Sequence, residues 1–147
     1  MTAEQMWKAF SEKREINAPY DAWAFGDDAD TLAELVLTGA KTATCSALPF
    51  YELEEESFPR EGEYSVILDS RDQAVCVIQT TRVYRTPFRK ITEEHAWKEG
   101  EGDRSLTYWR QVHEAFFSRE LSQVGMAFSQ DLMLVCEEFL RVLFICQ

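Results

Sequence analysis

The stretch from Tyr64 to Arg85 constrains the fold most. Tyr64 to Leu68 is strand-like, Asp69 to Asp72 reads as a turn, and Ala74 to Arg85 reads as one long strand. Together they predict a β-hairpin. Apolar stripes at helical spacing supply layers to cover it. Thr2 followed by Gln5 makes a capping-box start, with Met6, Trp7 and Phe10 on one face of a short helix. A second helix is predicted to open at Thr31, with Glu34 three residues on, to bury Leu32, Leu35 and Val36, and to end at Gly39. A third starts at Ser105 and carries Leu106, Trp109, Val112, Phe116 and Phe117 on its buried side, with Arg110 and Glu114 opposite. Leu132 to Cys146 reads as one or two strands interrupted near Glu137 and Glu138, and Glu52 to Glu56 as an acidic loop. The class is α+β with a substantial sheet.

The chain has 147 residues, of which 46% are apolar, enough for one core. Neither a repeat nor a Pro/Gly/Ser linker divides it. No apolar run has membrane-spanning length, and Glu4 and Lys8 interrupt the start where a secretory signal would be apolar. A cytoplasmic location with no membrane partner is expected. Cys45, Cys76, Cys136 and Cys146 are scattered, so they are expected to be reduced and buried. The formal net charge of −11 opposes wrapping a long polyanion. Any nucleic-acid contact is therefore local. Arg82, Arg85, Arg89 and Lys90 around Tyr84 and Phe88 can hold phosphate and stack a base, or form a solvated strand face.

Two polar segments carry candidate chemistry. Gly39-Ala40-Lys41-Thr42-Ala43-Thr44-Cys45-Ser46 leaves a glycine cap with an ammonium and three hydroxyls. A desolvated Lys41 with a lowered pKa can take the hydroxyl proton of Thr44. The plainer reading is a polar helix exit leading into a strand. The second segment, Thr92 to Asp103, holds Glu99, Glu101 and Asp103 among two glycines. It lacks a calcium-loop pattern, and His95 and His113 are too few for a histidine-rich zinc site, so no metal or other cofactor is expected. Asp103 or Ser105 is expected to cap the following helix, Arg110 to pair with a carboxylate of that loop, and His113 and Cys45 to be packing residues.

Several segments in order resemble one family. They are Trp23-Ala24-Phe25-Gly26, Leu35 through Thr44 with its G-x-K-x-x-T pattern, Pro59 to Gly62, Pro87-Phe88, and Glu99-Gly100-Glu101-Gly102-Asp103. Ser105-Leu106, Trp109-Arg110, His113, Phe116-Phe117 and Val135 to Phe139 continue the match. The chain looks like a member of the ASCH family, a relative of the PUA-type RNA-binding barrels. The resemblance spans residues 20 to 144, so 1–19 is expected to be a helical extension packed on an ASCH domain of residues 20–147.

The resemblance implies a PUA-like, partly closed mixed β-barrel with flanking helices, whose G-x-K-x-x-T segment lines a cleft. Some relatives are amidohydrolases that remove the acetyl group of acetylcytidine with a lysine, a threonine and a glutamate; Lys41, Thr44 and Glu99 occupy the matching positions. Thr44 would then attack the acyl carbon, Lys41 accept its proton, and Glu99 orient the lysine or protonate the leaving amine. Backbone N–H groups from Thr42 to Ser46, or the Ser46 hydroxyl, would serve the oxyanion. Trp23, Phe25, Ser46, Tyr84 and Arg85 would contact the substrate. Other relatives are described as ribonucleases and many only as RNA-binding modules, so a ribonuclease acting on single-stranded RNA and a noncatalytic RNA- or nucleotide-binding module are the alternatives. The expected partner is a modified nucleoside or single-stranded RNA. The N-terminal helix, the acidic loop and the long Ser105 helix depart from the short amidohydrolase form.

Overall fold

The computed structural model describes residues 1–144. Helix α1 (Ala3–Arg14) starts at the Thr2/Gln5 capping box. Strand β1 (Tyr20–Ala24), helix α2 (Ala29–Thr38), strand β2 (Ala43–Ala47) and a short helix α3 (Leu48–Leu53) follow. The hairpin is β3 (Tyr64–Leu68) and β4 (Ala74–Pro87), after which come α4 (Glu93–Glu99), α5 (Leu106–Gln123) and β5 (Met133–Phe144).

The strands form one sheet in the order β1-β3-β4-β5-β2. β1 runs parallel to β3, and the other pairs are antiparallel. Two register shifts on the long β4/β5 ladder, at Val77/Ile78 and Thr80/Arg82, mark where extra residues bend the strands. The sheet curls into the expected PUA-like half-barrel.

Helices cover both sides of the hairpin, as the period of two along a strand requires. Val66 and Val77 pack under Met6 and Phe10 of α1. Ile67, Cys76 and Ile78 pack, with Phe139, under Ala33 and Val36 of α2. A third cluster joins Trp109, Phe117 and Leu121 of α5 to Phe88, Leu134 and Cys136. Each large side chain buried this way contributes about 1.5–3 kcal/mol before entropy is counted.

Four local expectations change. β5 passes Glu137 and Glu138 without interruption, because the extra residue at that bulge belongs to β4. The end of that run, including Cys146, lies outside the described residues. α2 begins at Ala29, behind Asp28 with φ 48° and no side-chain cap, so Thr31 lies within the helix. Leu32 and Leu35 are only half-buried, because they face a cavity rather than the core. Finally, α3 takes in Glu52, the first residue of the expected acidic loop, and α4 occupies Glu93–Glu99, with Thr92 as its cap.

Candidate functional site

Residues 58 positions apart are brought together by two glycine caps. Gly39 (φ 88°) ends α2 and sends the chain toward β2, while Gly100 (φ 75°) ends α4. The two exits are joined: Thr42 N donates to Lys98 O at 2.7 Å, and Arg104 donates to the carbonyls of Ala40 and Trp97. A side chain at position 100 would put its Cβ 2.4 Å from Ala40 O, so only glycine permits this approach. Lys41 thereby faces the end of α4.

Lys41 is 1% exposed, and its Nζ donates to Glu99 Oε1, Glu101 Oε2 and Glu99 O at 3.2, 3.2 and 3.3 Å. Glu99, also 1% exposed, is held from every side. Its Oε2 accepts from Trp109 Nε1 at 2.6 Å and His95 Nε2 at 2.7 Å, and its Oε1 lies 3.5 Å from His113 Nε2. The Tyr84 hydroxyl is 2.9 Å from His95 Nδ1 and completes the chain of contacts. With Glu99 ionised, His95 carries its proton on Nε2 and accepts from Tyr84.

The protonation states follow from competing effects. Burial would push the Lys41 ammonium down, but Glu99 and Glu101 outweigh it and hold its pKa above the usual lysine value. This corrects the expectation of a lysine with a lowered pKa: resting Lys41 is a cation. Burial likewise opposes ionisation of Glu99, yet Lys41, His113 and His95 hold its pKa well below the usual range. His113 donates from Nδ1 to Trp109 O at 2.9 Å. Its burial is outweighed by Glu99, so its pKa is raised.

This network opens into a cavity of about 240 Å³ lined by Lys41, Thr44, Cys45, Glu99, Glu101 and His113, with Phe25, Tyr108 and Phe116 as walls. A second cavity, of about 490 Å³, adjoins it and shares Phe25, Thr44, Cys45 and Phe116. Trp23 and Ser46 belong to the second. Asp27, Asp28, Glu99 and Glu101 line the first, and Asp21, Glu54, Glu63, Glu120 and Glu137 the second. Lys41 is the single Lys or Arg among the described lining residues.

Six of the predicted site residues, Lys41, Thr44, Glu99, Trp23, Phe25 and Ser46, thus meet at two joined cavities. Tyr84 and Arg85 do not line them. Tyr84 supports His95, and the exposed Arg85 stacks on Phe58 at 4.3 Å. Phe25 lies 5.3 Å beneath the Lys41 ammonium and meets Trp23 edge-on. Two proposed oxyanion donors are occupied: Thr42 N by Lys98 O, and the Ser46 hydroxyl by Tyr51 at 2.6 Å. Arg110 donates to Arg89 O at 3.4 Å, in place of the expected carboxylate.

Glu101 and His113 were not among the predicted site residues, nor was the support from His95 and Trp109. Their signal was spacing: His95/Glu99 and Trp109/His113 are both four apart, so each pair shares a helix face. Cys45, Glu99 and His113 also place ligand atoms within 4.8 Å of one another. The Lys41 ammonium on the same carboxylate opposes a dication there. Burial first, then Glu99, push the Cys45 thiol well up, so it is neutral and a poor nucleophile.

The ASCH domain family model matches residues 21–143. A crystal structure of a protein from Enterococcus faecalis V583 shares 39% identity over 96% of this chain and 88% of its own, with TM-score 0.88. An ASCH domain from Lactobacillus crispatus JV V101 shares 35% identity over 95% and 91%, with TM-score 0.85. A hypothetical protein of known structure, 13% identical over 84% of this chain and all of its own, has TM-score 0.57 and supports the fold alone. Among curated proteins, none matches the sequence.

Proposed function

Since the chain belongs to the ASCH domain family, we propose that its joined cavities admit a modified nucleoside and hydrolyse an exocyclic amide on it, with acetylcytidine as the model substrate. The family is generally RNA-binding, which supports a ligand derived from RNA. One observation carries the reading: a buried ammonium, held by two carboxylates, shares a cavity with the Thr44 hydroxyl, and the remaining charged lining is acidic. An acidic lining repels a chain of phosphates but not an uncharged nucleoside. This favours the small substrate over ribonuclease action on single-stranded RNA.

In the proposed reaction Thr44 Oγ1 attacks the acyl carbon, and its proton needs an acceptor. Lys41 rests as an ammonium, so as the Thr44 proton moves to its Nζ it passes one of its own to Glu101, the more exposed of its partners at 17% against 2%. Lys41 thus stays an ammonium through the transfer and faces the oxyanion. Collapse breaks the C–N bond as protonated Glu101 gives its proton to the leaving amine. Water attacks the resulting threonine ester, Lys41 and Glu101 again carrying the protons, and releases the acid. Glu99 stays ionised throughout and positions Lys41.

The test is hydrolysis of acetylcytidine, with a short single-stranded RNA in parallel, by the native protein and by Lys41→Ala, Thr44→Ala and Glu99→Gln. Deacetylation lost in all three folded variants supports the proposal. Cutting of the RNA alone, dependent on Lys41, replaces it with ribonuclease action. Binding without turnover of either reduces the site to a recognition module.

A further inference from the structure

The larger cavity has a floor the reaction above does not use. On β3, β4 and β5 the core under α2 contains Ile67, Ile78 and Phe139. Two positions along each strand, hence on the same strand face, stand Ser65, Thr80 and Glu137. The apolar layer therefore turns polar toward this cavity, which all three residues line. They lie on one diagonal across the three strands with Thr80 in the middle, since Ser65 pairs with Ile78 and Thr80 with Phe139. Ser65 and Thr80 are 8% and 4% exposed.

None of the three side chains has a hydrogen-bond or ion-pair partner among the described residues. Yet among those residues no fully enclosed polar side-chain atom is left unpaired, so these three reach the cavity space. A buried polar group without a protein partner is costly unless something else pairs with it. The walls facing this floor are aromatic: Trp23, Phe25, Phe50 and Phe116. Flat apolar walls over a strip of donors and acceptors suit a planar heterocycle, which stacks on its faces and hydrogen-bonds along one edge.

We propose that this cavity is the base-reading subsite of the nucleoside site, and that Glu137, at the β5 end of a polar strip that continues through Thr80 to Ser65, binds as an uncharged carboxyl to a base edge offering one donor beside one acceptor. The inference rests on the reading under Proposed function for its ligand class. Thr44 lies on the boundary of both cavities, so a base seated here projects its substituent toward Lys41. Burial, reinforced by Glu63, raises the Glu137 pKa to about 7, so the carboxyl keeps its proton in mildly acidic solution. The other titratable groups lining the cavity are Asp21, Cys45, Tyr51, Glu54 and Glu120.

The experiment is calorimetric binding of cytidine and uridine, which requires no turnover, between pH 6 and pH 8, with the native protein, Glu137→Gln and Glu137→Leu. Native affinity is expected to fall about tenfold across that range as the carboxyl ionises. Glu137→Gln, which keeps one donor and one acceptor, is expected to bind with little pH dependence. Glu137→Leu, which removes no hydrogen bond or ion pair within the described residues, should fold and bind at least tenfold more weakly. Equal affinity in Glu137→Leu, or tighter native binding at pH 8, overturns the inference even if acetylcytidine is hydrolysed. Glu137-dependent binding without hydrolysis upholds it while the amidohydrolase reading fails.

Discussion

The two joined cavities differ in how their polar groups are satisfied. In the smaller one every buried charge has a partner: Lys41 holds Glu99 and Glu101, and Glu99 is also anchored by Trp109, His95 and His113. In the larger one Ser65, Thr80 and Glu137 have none among the described residues. A charge network closed on itself is preorganised and resists rearrangement. An open polar floor leaves its hydrogen bonds to a ligand. Stability and binding should therefore respond in opposite ways to mutations in the two places.

The largest expected effect is in the closed network. Glu99→Ala takes away one of the two carboxylates that hold Lys41 and strands the ring N–H donors of Trp109 and His95, and should cost about 3–5 kcal/mol in denaturant unfolding. A loss under 1 kcal/mol would show the network to be dispensable. Gly100→Ala comes next, because φ 75° and a Cβ 2.4 Å from Ala40 O both oppose it. A loss of roughly 2 kcal/mol, with Lys41 displaced, is expected from thermal unfolding and turnover measured together.

The open floor predicts a change of the other sign. Glu137 is raised in the folded protein, so native stability declines as pH rises from its unfolded value near 4.5 through about 7. Glu137→Leu should remove that decline and be more stable than the native chain at pH 8, by roughly 1–3 kcal/mol. Glu99 is depressed, so its contribution is present above about pH 4.5 and is lost as pH falls through its folded value. Acid unfolding that begins below that point should vanish from the Glu99→Gln profile. His113 gives the smallest effect: its pKa is raised, so its contribution is full below about pH 6.5 and fades as pH rises through the folded value. His113→Gln should flatten that limb by under about 1 kcal/mol.

Much of this layout was legible from local pattern. The capping box at Thr2, the exit at Gly39, the hairpin and the Ser105 helix each rest on a few adjacent residues, and each formed where expected. The meeting of Lys41, Thr44 and Glu99 followed from the family resemblance. Glu101 as a second lysine partner depends on how Gly100 and Gly102 turn the chain, which spacing does not specify. The state of Lys41 was misjudged because burial alone lowers a lysine pKa, and two carboxylates arriving from 58 and 60 residues away reverse the sign. Tyr84 and Arg85 were attractive as a basic, aromatic strand segment, but the register turns Tyr84 toward His95 and leaves Arg85 exposed. The polar strip of Ser65, Thr80 and Glu137 was invisible because it assembles across three strands.

Thr44 is the proposed attacking group of a site whose binding is organised by other residues. Acetylcytidine binding and turnover should be measured in parallel for the native protein, Thr44→Ser and Thr44→Val. Near-native binding is expected in both variants, with retained hydrolysis in Thr44→Ser and hydrolysis reduced at least a thousandfold in Thr44→Val. Hydrolysis by Thr44→Val at a rate close to native would rule out Thr44 as the attacking group.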